Sequence, residues 1–222
     1  EANRTKAKLF SIIGHDLRSP ISQVYQFLKL QQLNPDALNT EQKNELSNKI
    51  QTATGSLLET MEDLLLWSKT QMNEFKTSLQ TVELIPVVET CKQLLQLNSD
   101  AKNISYQQTI NDGDSAQTDT YFLQTIVRNL LQNAIKASPD NGIINIYTKK
   151  RENTIALHIK NDGATFTQEN YLQTLSSQEN SSSINGIGLR LVDELSKKIN
   201  ATVTFLMPAN GGTLVEINLK IV

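Results

Sequence analysis

The 222 residues suit one large domain or two small ones, and 38% hydrophobic content is enough for a packed core. Twenty-one basic against 23 acidic residues leave a net charge of −2, which gives no electrostatic reason to expect nucleic acid or an anionic membrane surface as partner. The single cysteine, Cys91, excludes an internal disulfide and a cysteine metal cluster and fits a reducing compartment; no apolar run approaches the roughly 18 residues that cross a bilayer.

Two long helical patterns come first. In residues 3–33 the apolar positions Ile13, Leu17, Ile21, Val24 and Leu28 recur at steps of three and four. The chain opens abruptly in this pattern, as expected of a piece of something longer. "LNPDALNT" (33–40) has turn chemistry, with Thr40 the expected N-cap of a second helix. From Glu41 to Phe75 the residues Leu46, Ile50, Ala53, Leu57, Met61 and Leu64 follow a spacing close to a coiled-coil seam. Two long helices with a short connection predict an antiparallel hairpin. A lone hairpin has little apolar surface to bury against, so two copies are expected to pair as a four-helix bundle, the alternative being packing on the rest of the chain.

Beyond residue 78 the texture changes. "SLQTVEL" predicts a strand, Pro86 opens a helix, and "NISYQQTI" alternates like a strand. Residues 118–138 form a long amphipathic helix capped by Thr118 or Asp119. "GIINIYTKK" and "NTIALHIKN" are strands, 164–183 is a polar loop, "GIGLRLVDELSKKIN" is a helix opened by glycines, and "TVTFLMP" and "TLVEINLKI" close the chain. The expected class is α+β, with one sheet covered on one face by helices. The expected domains are 1–78 and 79–222.

The candidate chemistry begins at "FSIIGHDLRSP". Helical residues advance roughly 100° each, so Ser11, His15, Arg18, Ser19 and Ser22 share a stripe opposite the apolar one, and His15 is expected to face solvent. That removes the core-histidine reading but leaves an ordinary surface histidine open. Against it, a neutral imidazole is a nucleophile near pH 7, Asp16 can accept its Nδ1 proton, Pro20 removes a backbone bond to Asp16, and Arg18 can meet an anion. Isolation from other Cys or His argues against a metal site. Further on, Asn129, Asn133 and Lys136 share a helical stripe. The bland alternative is a solvated face, but asparagines suit such a face poorly; an amide oxygen suits Mg²⁺ and a lysine suits phosphate. Gly186 and Gly188 at a helix start let backbone N–H groups approach phosphate.

"HDLRSP" resembles the phospho-acceptor box of sensor histidine kinases. "NLLQNAIK" is similar to that family's N box, "IKNDGATF" to its G1 box, "SINGIGLRL" to its G2 box and "NGGTLVEINL" to its last strand, in the family's order along nearly the whole chain. The resemblance implies a dimerising histidine-phosphotransfer hairpin followed by an α/β-sandwich ATP-binding domain. It implies His15 as phospho-acceptor, with Asp16 beside it, and Ser19 at the position that can place a water for dephosphorylating the partner. It further implies Mg²⁺ on Asn133, with Asn129 and Lys136 near the triphosphate, and adenine and phosphate contacts from Asn161, Asp162, Gly163, Gly186, Ile187, Gly188 and Leu189. The sequence departs from the family at three positions: Asn161 stands where the G1 aspartate reads adenine, Thr165 where a glycine follows, and Ile184 where the G2 box has its first glycine. Asp162 could substitute for the aspartate only with a register slip of one. The 164–183 segment has no Lys or Arg and no F box, with Phe166 and Tyr171 as its candidate remnants.

The function so implied is an ATP- and Mg²⁺-dependent protein histidine kinase, a cytoplasmic homodimer that passes phosphate from His15 to an aspartate of a response-regulator receiver domain. Nucleic acid is not an expected partner, and a membrane would enter only through regions outside this chain. The alternative is a dimeric signalling module with weak or lost catalysis. An ATPase or serine/threonine kinase sharing the nucleotide fold would leave "HDLRSP" unexplained.

Overall fold

The computed structural model describes residues 18–33, 39–71, 77–176 and 185–221, and these divide into two compact units: a helical pair, with which residues 185–187 group, and an α/β unit of the remaining residues from 77 onward. His15 and Asp16 lie outside the described residues.

The helical unit holds α1 (Arg18–Leu33) and α2 (Thr40–Gln71), which pack on each other. The cap of α2 is not Thr40 but Asn39. Its Oδ1 accepts from Gln42 N at 2.8 Å, while its own N–H donates to Gln42 Oε1 at 3.0 Å. This reciprocal pair satisfies two N–H groups that the helix start would otherwise leave open. On α2, Ala53, Leu64, Leu66 and Trp67 are buried, whereas Leu58, Met61 and Leu65 are exposed; on α1, Ile21, Tyr25, Leu28 and Leu30 are exposed.

The α/β unit runs β1 (Gln80–Glu83), α3 (Leu84–Leu94), α4 (Gln96–Asp100), β2 (Ser105–Thr109), β3 (Ser115–Thr118), α5 (Thr120–Ala137), β4 (Ile143–Lys150), β5 (Thr154–Asn161), α6 (Gln168–Ser176), α7 (Asn185–Lys198), β6 (Thr202–Leu206) and β7 (Thr213–Lys220). The strands form two sheets rather than the single sheet expected. β1 pairs with β3, and a five-stranded sheet has the order β2-β4-β5-β7-β6. Within the larger sheet only β2 and β4 are parallel.

Alternation decides which face is core. Ile144 and Ile146 of β4, Ile155, Leu157 and Ile159 of β5, and Val215, Ile217 and Leu219 of β7 are buried and in register on one face. α5 packs on this face through β5 and also against α3. Being sandwiched, it buries residues on two sides: Leu123, Val127 and Leu130, and also Phe122, Ile126, Leu131 and Ile135. On the other face of the sheet His158 is buried and stacked on Tyr147 with centroids 4.5 Å apart, and its Nε2 lies 3.0 Å from Glu216 Oε2.

The small sheet is tied to the large one at Asp114. Its buried carboxylate accepts from the Thr148 hydroxyl and from Asn111 N, and pairs with Lys150 Nζ at 2.9 Å. Burial pushes this carboxyl up, but the bonds from Thr148, Lys150 and Asn111 outweigh it and hold the group below its ordinary 3.8. A carboxyl depressed by folding lends stability above its unfolded pKa and loses it as pH falls through the folded one. Asp114→Asn should therefore melt below the wild type at pH 7, with the gap closing as pH falls below about 4, as thermal unfolding at a series of pH values would show.

Candidate functional site

Several of the expected site residues in the α/β unit are joined by close backbone approaches. α5 is set by its cap: Asp119 Oδ1 accepts from Phe122 N at 3.1 Å. Its other end is held by Lys102, whose Nζ donates to the carbonyls of Ile135, Lys136 and Ser138 at 3.2, 2.8 and 2.8 Å. A cation on the unsatisfied last carbonyls is favourable in charge as well as in hydrogen bonding. Between these ends the polar stripe is graded. Asn129 is only 4% exposed, Asn133 is half-buried and Lys136 is exposed. Asn129 Nδ2 donates to Thr125 O at 3.0 Å, so its Oδ1 is the atom turned outward from the helix. A plain solvated face does not describe this stripe.

That oxygen meets α7. A side chain at Gly188 would place its Cβ 2.3 Å from Asn129 Oδ1, closer than any real contact. Gly188 is thus a glycine because α7 closes on α5 there. Gly186 and Ile187 precede it in the first turn of α7, and Leu189 after it is buried in the core.

A second close approach joins β5 to α5. A Cβ on Gly163 would sit 1.8 Å from Ala137 O, and Ala164 N donates to the same carbonyl at 3.2 Å. A third lies at the start of β7. Gly212 has φ +80°, and its Cβ would lie 2.1 Å from Asn161 O. Next to it, Thr213 Oγ1 donates to Ala164 O at 3.0 Å and accepts from Phe166 N at 2.8 Å, fastening the 161–166 turn to the sheet.

Asn161 therefore ends β5 in a fixed place. It is 3% exposed, lies in register between Ile144 and Thr213, and its Nδ2 is buried with no hydrogen-bond partner among the described residues. Asp162 is different: its side chain is 53% exposed and pairs with Lys160 Nζ at 3.0 Å. The strand register thus puts the buried position at Asn161, and no slip brings Asp162 there. Thr165 is exposed.

Residues 164–183, expected as a loop, include α6, and residues 177–184 lie outside those described. α6 starts on a reciprocal cap, with Thr167 Oγ1 accepting from Asn170 N and Asn170 Oδ1 from Thr167 N. Phe166 meets Phe205 of β6 edge-on and Tyr171 meets it at a tilt, at 5.1 and 4.8 Å between centroids. They anchor this segment to the sheet edge. Burial, aided by Asp193, pushes the Tyr171 hydroxyl well above its ordinary range. Lys102, Gly212 and Thr213 are the positioning residues that sequence reasoning passed over. Only "NGGT" carried a signal, as part of the last-strand motif. Of the first-helix residues, Arg18 and Ser19 fall at the start of α1.

Two buried amides therefore stand out: Asn129 beside Gly188, and Asn161, whose Nδ2 has no partner among the described residues. Residues 118–222 match the histidine kinase-, DNA gyrase B-, and HSP90-like ATPase family. Over all of its length the chain is 26% identical to a sensor-like histidine kinase, ycf26, of Porphyra purpurea, and over 97% it is 20% identical to the histidine protein kinase DivJ of Caulobacter vibrioides. The chain spans 37% of the length of each of these relatives. In fold it is similar to the Acinetobacter baumannii histidine kinase AdeS, with TM-score 0.67 at 17% identity over 93% of this chain and 98% of that one. It is also similar to the histidine kinase ThkA solved in complex with the response regulator TrrA, with TM-score 0.64 at 17% identity over 99% of this chain and 65% of that one. Residues 118–222 are thus similar to this ATPase family, and the chain as a whole is similar in sequence and fold to sensor histidine kinases. Among the described residues no helix is long and apolar enough to cross a membrane.

The close approaches have a direct consequence. Gly163→Ala should destabilise the protein by at least about 2 kcal/mol, because the obstacle is backbone. Gly55→Ala, in α2 with nothing within 4 Å, should be neutral or stabilising by about 0.5–1 kcal/mol. Urea unfolding of the two variants beside the wild type measures both.

Proposed function

We propose that this chain is the kinase portion of a two-component sensor. It binds ATP with Mg²⁺ in the α/β unit, phosphorylates His15 and passes the phosphoryl group to an aspartate of a response-regulator receiver domain. The reading rests on the resemblance of "HDLRSP" to the phospho-acceptor box, on the ATPase family match, and above all on Asn129. This amide is buried against Gly188 where a merely solvated helix would have it exposed.

In this reading Asn133 holds Mg²⁺ through its amide oxygen, with Asn129 and Lys136 toward the phosphates and Gly186, Ile187, Gly188 and Leu189 forming the helix start that receives them. Asn161 reads the base, while Gly163 keeps the turn close to α5 and Asp162 takes part only through its pair with Lys160. The bound ion supplies charge neutralisation. His15 Nε2 takes the γ-phosphoryl group, the bond from its phosphorus to the bridging oxygen breaks, and ADP leaves. Asp16 holds the Nδ1 proton so that the attacking nitrogen keeps its lone pair. Arg18 offers positive charge beside the acceptor, and Ser19 can place a water for the reverse dephosphorylation of the partner. The work is mainly positioning and electrostatics.

Residues 1–78 would then be an antiparallel histidine-phosphotransfer hairpin and 79–222 the ATP-binding domain. The exposed Ile21, Leu28, Leu58, Met61 and Leu65 give the hairpin an apolar surface that a second copy can cover as a four-helix bundle. A homodimer working in the cytoplasm, as part of a longer sensor, is the setting in which these parts fit.

A second reading is a dimeric module with weak or lost catalysis. It is favoured by Asn161, Thr165 and Ile184 at the departing positions and by the absence of Lys and Arg across 164–183.

Incubation with γ-labelled ATP and Mg²⁺ separates them. The kinase reading expects label that is acid-labile and alkali-stable, as a phosphoramidate is, absent in His15→Gln and lost in Asn133→Ala while the dimer persists by light scattering. Absence of label from the wild type supports the passive module, and acid-stable label would point to a hydroxyl acceptor.

A further inference from the structure

Asn161 carries a donor that no described residue accepts from. Its side chain is 3% exposed and its Nδ2 has no partner among the described residues. Its two register neighbours do not take it. Ile144 is apolar, and the Thr213 hydroxyl is committed to Ala164 O and Phe166 N. The backbone of Asn161 is pinned by Gly212, and the turn after it is pinned by Gly163 on Ala137. Asp162, the one carboxylate adjacent in sequence, is turned out to Lys160. A buried amide N–H left unmatched costs stability, so such a group implies something that completes it.

We infer that Asn161 lets the base subsite take 6-oxo purine nucleotides as well as 6-amino ones. This deepens the nucleotide-site reading above and rests on it. Adenine presents an N–H donor at its six-position and an acceptor at N1. Hypoxanthine presents the reverse, an oxygen acceptor at the six-position and an N–H donor at N1. A primary amide carries one acceptor and one donor side by side. With Oδ1 toward the six-amino group and Nδ2 toward N1 it matches adenine. Turned by half a rotation it matches hypoxanthine, with the same heavy-atom outline. A carboxylate at this place has acceptors only. It accepts from the six-amino group, but it sets negative charge against a six-oxo oxygen and rejects that base by repulsion. Asn161 removes the repulsive element, and its sequence neighbour Asp162 is paired with Lys160.

The test is equilibrium binding by the full chain, measured by titration calorimetry with Mg²⁺ and the non-hydrolysable imidodiphosphate analogues of ATP and ITP, which differ only in the base. The wild type should bind the two with Kd values within about tenfold of each other, since either pairing satisfies two bonds. Asn161→Asp should keep the adenine analogue and weaken the hypoxanthine one by about 100-fold or more, because the carboxylate faces the six-oxo oxygen. The wild-type comparison needs no variant, so it stands even if Asn161→Asp folds poorly. A wild type that binds the adenine analogue and excludes the hypoxanthine one by more than about 100-fold overturns the inference and leaves the ATP site intact. An Asn161→Asp variant that still binds both equally overturns it too, since Asn161 would not face the six-position. Binding of neither analogue at millimolar concentration removes the nucleotide-site reading itself, and this inference with it.

Discussion

Of the places in the α/β unit with no room for a β-carbon, three bear on the candidate site. Gly163 lies on the last carbonyl of α5, Gly188 on the Asn129 amide, and Gly212 on the carbonyl of Asn161. Each joins two elements that no side-chain packing could bring so close. Together they tie the end of β5 to α5 and to the start of β7, and Gly188 of α7 to the polar stripe of α5. Interiors are close-packed, so a misfit of one carbon atom is felt through the neighbouring elements. The geometry of the two buried amides, Asn129 and Asn161, is therefore set by backbone contact rather than by salt bridges.

The electrostatics follow the same economy. The buried polar groups at these contacts, the amides of Asn129 and Asn161 and the hydroxyl of Thr213, are neutral and cost less to desolvate than charges. Charges are kept to the margins. Lys102 closes the C-terminal carbonyls of α5, Lys160 holds Asp162 outside, and Asp114 with Lys150 and Thr148 ties the small sheet to β4. A neutral interior with cations at its edges suits an anionic ligand that brings its own divalent ion. Charges of the same kind inside would need partners of their own.

Much of this was legible in the sequence because it is periodic. The stripe of α5, the apolar alternation of β4, β5 and β7, and the glycines of "NGIG" and "NGGT" each declare a backbone requirement. What was not legible depends on contacts far along the chain. β3 reads "SAQT", too short and polar to signal a strand, and exists because β1 pairs with it. α6 is a polar segment whose hold on the fold is Phe166 and Tyr171 against Phe205 of a later strand. Counting back from Gly163 puts Asn161, not Asp162, at the G1 position, and what the sequence left open was burial: the register with Ile144 and Thr213 buries Asn161, while Asp162 is exposed. The cap of α2 shifted from Thr40 to Asn39 because Gln42 completes a reciprocal pair, a spacing visible in the sequence but passed over.

The central claim is that the three glycine contacts shape an adenine-nucleotide site around Asn129, Asn133 and Asn161. The most direct measurement is nuclear magnetic resonance of the asparagine side-chain amides during titration with Mg²⁺ and a non-hydrolysable ATP analogue. The account requires the amide signals of Asn133 and Asn161 to move together and saturate together, while Asn218, across the sheet on β7, stays in place. Saturable shifts at Asn218 with Asn133 and Asn161 unmoved would put the nucleotide elsewhere and contradict it.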